Sequence, residues 1–277
     1  MTATDPPPRP APWYERRAAE LFFVLGPRLP RVEQASPSDR LRPWEAVSVE
    51  RPGAGPLGAT WYPAPKPRGA VLLVHPWLEW GKSYFHRRGR VQALRAAGYS
   101  SLAVDLGGFG GTRRKPGFLD RDIEAALHHL RRLAGGLPIH VWGVSAGAYW
   151  SHMALARNGG VAGAMFEDAS PHLFEWSWRM APLGRPFYLF YRHVLRSADR
   201  FLDIRRHAPA MNLGAASYVS GGKDRGILPE ETRELASLTG GHARIVPGAG
   251  HLESIKLANA EVIALALDTF HRAEEKT

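Results

Sequence analysis

The sequence contains no cysteine. This absence excludes disulfides, thiolate metal sites and a cysteine nucleophile together, although it leaves the redox compartment open. The sequence also lacks the run of about 18 apolar residues that a transmembrane helix needs. Its longest apolar run near the N-terminus, residues 21–25, is shorter than the core of a secretory signal peptide. We therefore expect a cytoplasmic protein without a transmembrane segment.

The charge is strongly unbalanced, with a formal net charge of +10 and a pI near 10.2. Such a balance suits nucleic acid, an anionic lipid or an acidic substrate. The basic residues are scattered in short groups, however, and no tract alternates them with aromatic residues. This distribution favours a solvated, arginine-rich surface, and we expect no nucleic-acid partner.

The first 43 residues differ from the rest of the chain. Residues 1–12 carry five prolines and indicate a flexible arm. Residues 12–25 have a helical pattern that places Tyr14, Leu21 and Leu25 on one face. We expect this helix to dock on its own domain, with peripheral membrane contact as the alternative. Residues 1–43 are thus interpreted as an arm and helix, and residues 44–277 as one domain.

From residue 44 onward, strand patterns alternate with helical patterns. The predicted strands are residues 44–50, 57–62, 69–75, 100–105, 138–143, 161–166, 215–220 and 243–246. The predicted helices are residues 84–97, 120–133 and 146–157, one from about 229, and one from about 253 to 272. This alternation predicts a mostly parallel sheet with helices on both faces, an α/β fold. Residues 170–212 lack a strand pattern and are rich in aromatic residues, which indicates a helical cap.

The strongest chemical motif is Gly143-Val144-Ser145-Ala146-Gly147, which lies between a predicted strand and a predicted helix. In this setting G-x-S-x-G is a nucleophile elbow: the serine lies on a sharp turn that raises its hydroxyl above the sheet. Glycines two residues before and after it remove side chains that would clash. The pattern therefore predicts that Ser145 is a nucleophile.

A serine nucleophile needs a base and a group that orients the base. Asp224 and His251 each end a glycine turn after a later strand, in the chain order that this architecture requires. We expect His251 to transfer the proton and Asp224 to orient and stabilise its ring. Asp168 is an alternative acid, because it also follows a strand, although it suits a helix cap as well. We expect the other candidate histidines, including His152, to lie on helix surfaces.

The oxyanion of such a reaction is bound by two backbone N–H groups. One is expected from Ala146, which follows the nucleophile, and the other from the loop after the strand ending at His75. Pro76 has no N–H, so Trp77 is the best second donor, with Leu78 as the alternative. His75 is expected to hold this loop by hydrogen bonds.

No cofactor or metal ion is expected. Gly81-Lys82-Ser83 resembles the end of a phosphate-binding loop, but Pro76 stands where that loop requires glycine. The cap aromatics, with Trp77, Trp80 and Trp150, predict an apolar acyl or aromatic pocket, unless they form the cap's own core. Arg113, Arg114 and Lys115 follow a strand end, where they could receive an anionic group or remain solvated.

With these residues in place, the chain resembles the α/β-hydrolase superfamily over residues 44–272. The resemblance is carried by His75-Pro76-Trp77, residues 105–111, the elbow at Ser145, Gly221-Gly-Lys-Asp224 and Gly248-Ala-Gly-His251. It implies an eight-stranded, largely parallel sheet with an inserted cap and no cofactor. We expect a serine carboxylesterase that acts on a small-molecule ester through an acyl-enzyme. Pro76 departs from the glycine that usually follows this histidine in the family.

The resemblance leaves several activities open. A thioesterase, an acyltransferase or a carbon–carbon bond hydrolase would use the same triad, since the triad does not encode the leaving group. A protein that kept the fold for binding and lost catalysis is a further alternative. The oligomeric state lies beyond what the sequence indicates.

Overall fold

The computed structural model describes residues 13–14, 37–77, 81–86, 88–114, 119–180 and 185–276, with the backbone alone for residues 39, 187 and 191. Its eight strands form one sheet in the order β1-β2-β4-β3-β5-β6-β7-β8. The strands are β1 (Glu45–Arg51), β2 (Ala54–Tyr62), β3 (Gly69–Val74), β4 (Tyr99–Val104), β5 (Ile139–Val144), β6 (Gly163–Glu167), β7 (Ala215–Gly221) and β8 (His242–Val246). Strand β2 runs antiparallel to both neighbours, and β4 to β8 with β3 are parallel. The predicted mostly parallel, eight-stranded sheet is confirmed.

Helices cover both faces of the sheet, as predicted. They are α1 (Arg90–Ala96), α2 (Asp120–Ala134), α3 (Ala146–Asn158), α4 (Leu173–Met180), α5 (Arg185–His193), α6 (Arg196–Phe201), α7 (Pro229–Leu238), α8 (Ser254–Leu257) and α9 (Asn259–Glu274). Three-residue 3-10 turns occur at Asp39–Leu41, Ile204–Arg206 and Ala208–Ala210, and a longer one at Gly81–His86.

The central strand β3 shows why the sheet is buried on both sides. Because successive side chains of a strand point to opposite faces, a strand covered by helices on both faces is apolar throughout. Leu72 and Val74 pack with residues of α2 and α3, whereas Val71 and Leu73 pack with residues of α1 and α9. The sheet thereby separates two hydrophobic clusters, and its parallel strands end at one common edge.

The predicted helix over residues 84–97 is wrong in its first half. A 3-10 turn covers Gly81–His86, and α1 begins only at Arg90. Arg88 and Gly89 between them have φ angles of 55° and 77°, which a continuous right-handed helix does not allow. The predicted final helix from about residue 253 is likewise divided into α8 and α9, because Ala258 has a φ of −140°.

The prediction that His152 lies on a helix surface is also wrong. Its side chain is fully buried between α3 and β7. Nδ1–H donates to the Ala148 carbonyl at 2.7 Å, and the Tyr218 hydroxyl donates to Nε2 at 2.9 Å. Burial lowers the pKa of His152 to about 4, so the ring stays neutral near pH 7. His152 is a core residue whose two ring nitrogens are both hydrogen-bonded.

The segment after β6 is helical, as predicted. Helices α4, α5 and α6 lie between residues 173 and 201, and an isolated bridge joins His172 to Asp203 on either side of them. The predicted arm and most of the predicted helix at residues 12–25 lie outside the described residues. Across the described ranges, none of the helices combines the length and apolar character needed to span a membrane.

Candidate active site

Ser145 lies in a sharp turn between β5 and α3, with φ 51° and ψ −115°. These angles are unfavourable for a residue with a side chain. The turn is held by a 2.7 Å hydrogen bond from the Ser145 N–H to the Glu167 carbonyl. A Cβ on Gly147 would lie 2.3 Å from the Val74 carbonyl oxygen, and one on Gly143 would lie 2.7 Å from the Ala148 Cα. The two glycines of the motif are therefore needed for the close packing of this turn.

The three side chains predicted to form a triad are in hydrogen-bonding contact. The Ser145 hydroxyl donates to Nε2 of His251 at 3.0 Å, and Nδ1–H of His251 donates to Oδ2 of Asp224 at 2.8 Å. They come from three separate strand ends, those of β5, β7 and β8. The ring is thus placed with one nitrogen accepting from the hydroxyl and the other donating to a carboxylate, as nucleophile activation requires.

Asp224 is fixed on both sides of its carboxylate. Its Oδ1 accepts hydrogen bonds from the N–H groups of Gly226 and Ile227 at 2.8 and 3.1 Å, and the residue is buried. The His251 loop lies directly beside it, because a Cβ on Gly221 would lie 2.3 Å from the Ala249 carbonyl oxygen. The carboxylate can therefore orient the His251 ring without rotating away.

The electrostatics around His251 favour its protonated form. Burial acts to lower its pKa, but the hydrogen bond to Asp224 and the negative charges of Asp168 and Asp224 outweigh burial, so the pKa is raised above its ordinary value. A base with a raised pKa holds the transferred proton more firmly. A proton accepted by the His251 ring would be stabilised there by the two carboxylates.

Asp168, the predicted alternative acid, lies beside the triad without contacting His251 through a hydrogen bond. Its Oδ2 accepts from the Leu252 N–H at 2.9 Å, while its buried Oδ1 has no hydrogen-bond partner. Burial raises its pKa to about 7, with further contributions from the charges around it. It does not cap a helix, since the next helix, α4, begins only at Leu173. The carboxylate that accepts the hydrogen bond from the His251 ring is that of Asp224.

A buried ion pair lies behind the nucleophile turn and was not predicted from the sequence. The Arg90 guanidinium donates two hydrogen bonds to the Glu167 carboxylate at 2.6 and 2.9 Å, and both side chains are fully buried. Trp142 Nε1–H and the Ser254 hydroxyl donate to the same carboxylate. Arg90 lies in a segment with a helical pattern, in which an arginine is ordinarily predicted to be on the surface. The local sequence therefore does not indicate that Arg90 is buried. This network supports the backbone carbonyl that holds Ser145.

The loop after β3 lies against the nucleophile turn, as the oxyanion-hole prediction requires. A Cβ on Gly147 would lie 2.6 Å from the His75 carbonyl oxygen. His75 holds the loop, because Nδ1–H donates to the Pro76 carbonyl at 2.7 Å and Nε2 accepts from the Leu106 N–H at 3.1 Å. Trp77 packs edge-on against Phe109, with ring centroids 5.3 Å apart. Leu78 lies outside the described residues, and the roles of Ala146 and Trp77 stay predictions.

One aromatic residue of the cap faces the triad. The ring centroid of Trp176, on α4, lies 6.1 Å from that of His251. Arg179 on the same helix donates to the Gly226 carbonyl at 3.0 Å, which ties the cap to the Asp224 loop. Trp150 is fully buried in the core, so the prediction that it lines a pocket is wrong. Trp80 lies outside the described residues.

Among the described residues, one group of histidine and carboxylate side chains is close enough to hold a metal ion: Asp168, Asp224 and His251, whose ligand atoms lie within 4.8 Å of one another. Both His251 nitrogens are engaged by Ser145 and Asp224. The donor set therefore fits proton transfer better than metal binding. Of the predicted anion site, Arg113 is exposed and Lys115 lies outside the described residues.

Comparison with known proteins agrees with this architecture. The family model described as serine aminopeptidase, S33, matches residues 65–193, a segment that contains Ser145 and ends before Asp224. No curated protein matches the chain in sequence.

Several solved structures are similar in fold. An esterase of Pyrococcus furiosus is 18% identical with a TM-score of 0.73, and the match covers 89% of this chain and 99% of that one. A carboxyl esterase of Bacillus coagulans is 16% identical with a TM-score of 0.66, covering 82% and 98%. An acylaminoacyl peptidase of Pyrococcus horikoshii is 14% identical with a TM-score of 0.66, covering 84% and 41%. At these identities the likeness establishes a shared fold.

Proposed function

We propose that the chain, which has the α/β-hydrolase fold, is a member of that superfamily and a serine hydrolase that cleaves carboxylic esters through an acyl-enzyme. The observation that carries the proposal is the continuous hydrogen-bonded series from Ser145 through His251 to Asp224. It starts on a strained turn that presents the hydroxyl at the end of β5.

The first half of the reaction forms the acyl-enzyme. The Ser145 oxygen attacks the ester carbonyl carbon while Nε2 of His251 accepts the hydroxyl proton. The carbonyl oxygen becomes an oxyanion, for which the N–H groups of Ala146 and Trp77 are the proposed donors. His251 then returns the proton to the departing alkoxide, the carbon–oxygen bond breaks, and an alcohol leaves.

The second half repeats these steps with water. His251 removes a proton from water, the resulting hydroxide attacks the acyl carbon, and the proton passes to the Ser145 oxygen as the acid is released. Asp224 keeps its hydrogen bond to Nδ1–H throughout and stabilises the imidazolium. The two halves of the reaction together require no oxidant, reductant or cofactor.

The proposed substrate is a small ester with an apolar acyl or aromatic group. Trp176 beside His251, and Trp77 packed on Phe109 beside the nucleophile turn, give the surroundings of the serine an aromatic character. Two of the proteins with similar structures are named as esterases, which supports an oxygen leaving group over a nitrogen one. The acylaminoacyl peptidase among them makes amide cleavage the alternative to test.

Two measurements test the proposal. A fluorophosphonate probe is expected to label the wild type and Ser237→Ala, a variant of an exposed serine on α7, and to leave Ser145→Ala unlabelled. p-Nitrophenyl esters from acetate to palmitate are expected to be hydrolysed faster than p-nitroanilides with the same acyl groups. A wild type that is unlabelled and hydrolyses none of the esters would contradict the proposal, and preference for the anilides would replace esterase by amidase.

A further inference from the structure

The outer surface of the cap carries large apolar side chains that are exposed to solvent. We define the cap outer face by Trp178, Leu189, Phe190 and Val194, together with the exposed arginines Arg185, Arg192 and Arg196. The four apolar side chains are between 36% and 60% exposed and fall within 17 residues of the chain. Single exposed apolar residues are ordinary, whereas a group of this size marks an interaction surface.

The two helices of this face are joined by direct contacts. The ring centroids of Trp178 on α4 and Tyr188 on α5 lie 5.2 Å apart. The Arg185 guanidinium lies over the Trp178 ring at 5.0 Å, and Arg192 donates to the Tyr188 hydroxyl at 2.5 Å. Trp178, Tyr188, Arg185 and Arg192 therefore form one contact group across α4 and α5, and the exposed Leu189 and Phe190 lie on the same helix α5.

The charge of this face has a single sign. Between Glu175 and Asp199 the sequence contains four arginines and no acidic residue. One of them, Arg179, is paired with Glu231 at 2.7 Å. Within the part of the chain that the structure describes, no carboxylate forms an ion pair with Arg185, Arg192 or Arg196. The partner of this face should thus combine an apolar interior with negative charge on its surface.

We propose that the cap outer face binds the surface of an anionic phospholipid membrane. Tryptophan, phenylalanine and leucine side chains insert at the boundary between headgroups and acyl chains, and arginines beside them pair with lipid phosphates. The long arginine side chains can lie along the apolar residues while their guanidinium groups reach the headgroups. A second copy of the chain would bring three like-charged arginines against three others, which disfavours self-association through this face.

The cap outer face and the triad lie on opposite sides of the same helix, α4, which relates membrane binding to the proposed ester cleavage. Trp176 and Trp178 are two residues apart on α4, so their side chains point in directions about 200° apart. Trp176 faces His251, and Trp178 lies on the cap outer face. One short helix therefore separates the membrane-binding face from the nucleophile, and an ester dissolved in the membrane would have a short route to it.

Vesicle flotation of the full-length Ser145→Ala protein tests the proposal without lipid hydrolysis. We expect binding to vesicles that contain phosphatidylserine, weaker binding to phosphatidylcholine vesicles, and loss of binding at high salt. Arg185→Gln and Arg192→Gln should each lower the partition coefficient onto the vesicles about fivefold. Leu189→Ser with Phe190→Ser should abolish binding.

Matched controls come from exposed residues elsewhere on the molecule. Arg233→Gln with Arg244→Gln changes two arginines, and Leu133→Ser with Leu257→Ser changes two exposed apolar residues, on other helices and on β8. They should bind as the parent does, and circular dichroism should show every variant folded. If the variant with Leu189→Ser and Phe190→Ser unfolds, the replacement of Arg185 and Arg192 and the salt dependence of binding still test the proposal.

Three outcomes would overturn the proposal. These are equal binding by cap and control variants, no binding to anionic vesicles, and a dimer in sedimentation velocity that Leu189→Ser with Phe190→Ser dissociates. The last would assign the face to a second copy of the chain. None of these outcomes depends on esterase activity, so failure of the membrane proposal and failure of the proposed function are distinguishable.

Discussion

The backbone N–H of Leu252 donates a 2.9 Å hydrogen bond to Oδ2 of Asp168. Leu252 directly follows His251 and has a φ of 59°, a left-handed conformation that is unfavourable for leucine. Asp168 thus holds the strained backbone beside His251, while Asp224 holds the His251 ring itself. Two carboxylates from different strand ends act on His251 in different ways, one through the chain and its charge, the other through a direct hydrogen bond.

The charge of Asp168 should be visible in the pH dependence of catalysis. Catalysis requires neutral His251, so kcat/KM should rise with pH through the raised pKa of this residue, above its ordinary value of 6.5. Asp168→Asn removes one of the charges that raise this pKa, and the ascending limb should move to lower pH. Asp268→Asn, a change of an exposed carboxylate on α9, should leave the limb where it is. A limb that stays fixed in Asp168→Asn would contradict the electrostatic role.

The raised pKa of Asp168 also makes stability depend on pH. The pKa is 3.8 in the unfolded chain and about 7 in the folded one, so between these values the folded state binds more protons. The contribution of Asp168 to stability should therefore fall as pH rises from 4 to 7, by roughly 1.4 kcal/mol per pH unit. Asp168→Asn cannot ionise and should lose this part of the pH dependence.

Urea unfolding at pH 5 and pH 8 measures the effect. Relative to wild type, Asp168→Asn should gain stability at pH 8 compared with pH 5, because the wild type alone must bury a carboxylate at the higher pH. The Asp268→Asn variant again serves as the control. The same difference between the two pH values in wild type and Asp168→Asn would show that Asp168 titrates normally.

The division of roles between the two acids predicts unequal losses of activity. Asp224→Asn should lower kcat by about 10⁴-fold, since the amide favours the wrong ring tautomer. Asp168→Asn should retain most of kcat because it keeps an oxygen for the Leu252 N–H. The kcat of each variant is measured from ester hydrolysis at saturating substrate. Full activity in Asp224→Asn together with loss in Asp168→Asn would reverse the assignment of the acid.

The sequence predicts the fold, and the contact between the side chains of Ser145, His251 and Asp224, because both depend on local patterns. Buried strands read as continuous apolar runs, and Ser145, Asp224 and His251 each stand in a turn directly after such a run. In a parallel sheet these strand ends share one edge, so residues separated by up to 106 positions along the chain come into contact. Nothing about side-chain packing is needed for this inference.

What the sequence does not predict depends on long-range contacts. His152 fits a helix surface by its neighbours in sequence, and its burial follows from contacts with Phe166 on β6 and Tyr218 on β7. Asp168 stands after a strand as Asp224 does, and local sequence does not tell which carboxylate reaches the ring. The interruption of the predicted helix at residues 84–97 follows from left-handed Arg88 and Gly89, of which only the glycine is a sequence signal.

The buried Arg90–Glu167 pair predicts a large and specific loss of stability. Glu167→Gln leaves the Arg90 guanidinium buried without a counter-charge, which should cost about 3–5 kcal/mol. The exposed Arg244–Glu261 pair offers the matched control, and Glu261→Gln should cost at most about 1 kcal/mol. Because the Glu167 carbonyl holds the Ser145 N–H at 2.7 Å, fluorophosphonate labelling of Glu167→Gln should slow even at temperatures where the protein stays folded. Urea unfolding and labelling rates at one temperature measure both effects, and equal losses of stability in the two variants would mean that the buried pair contributes no more than a surface one.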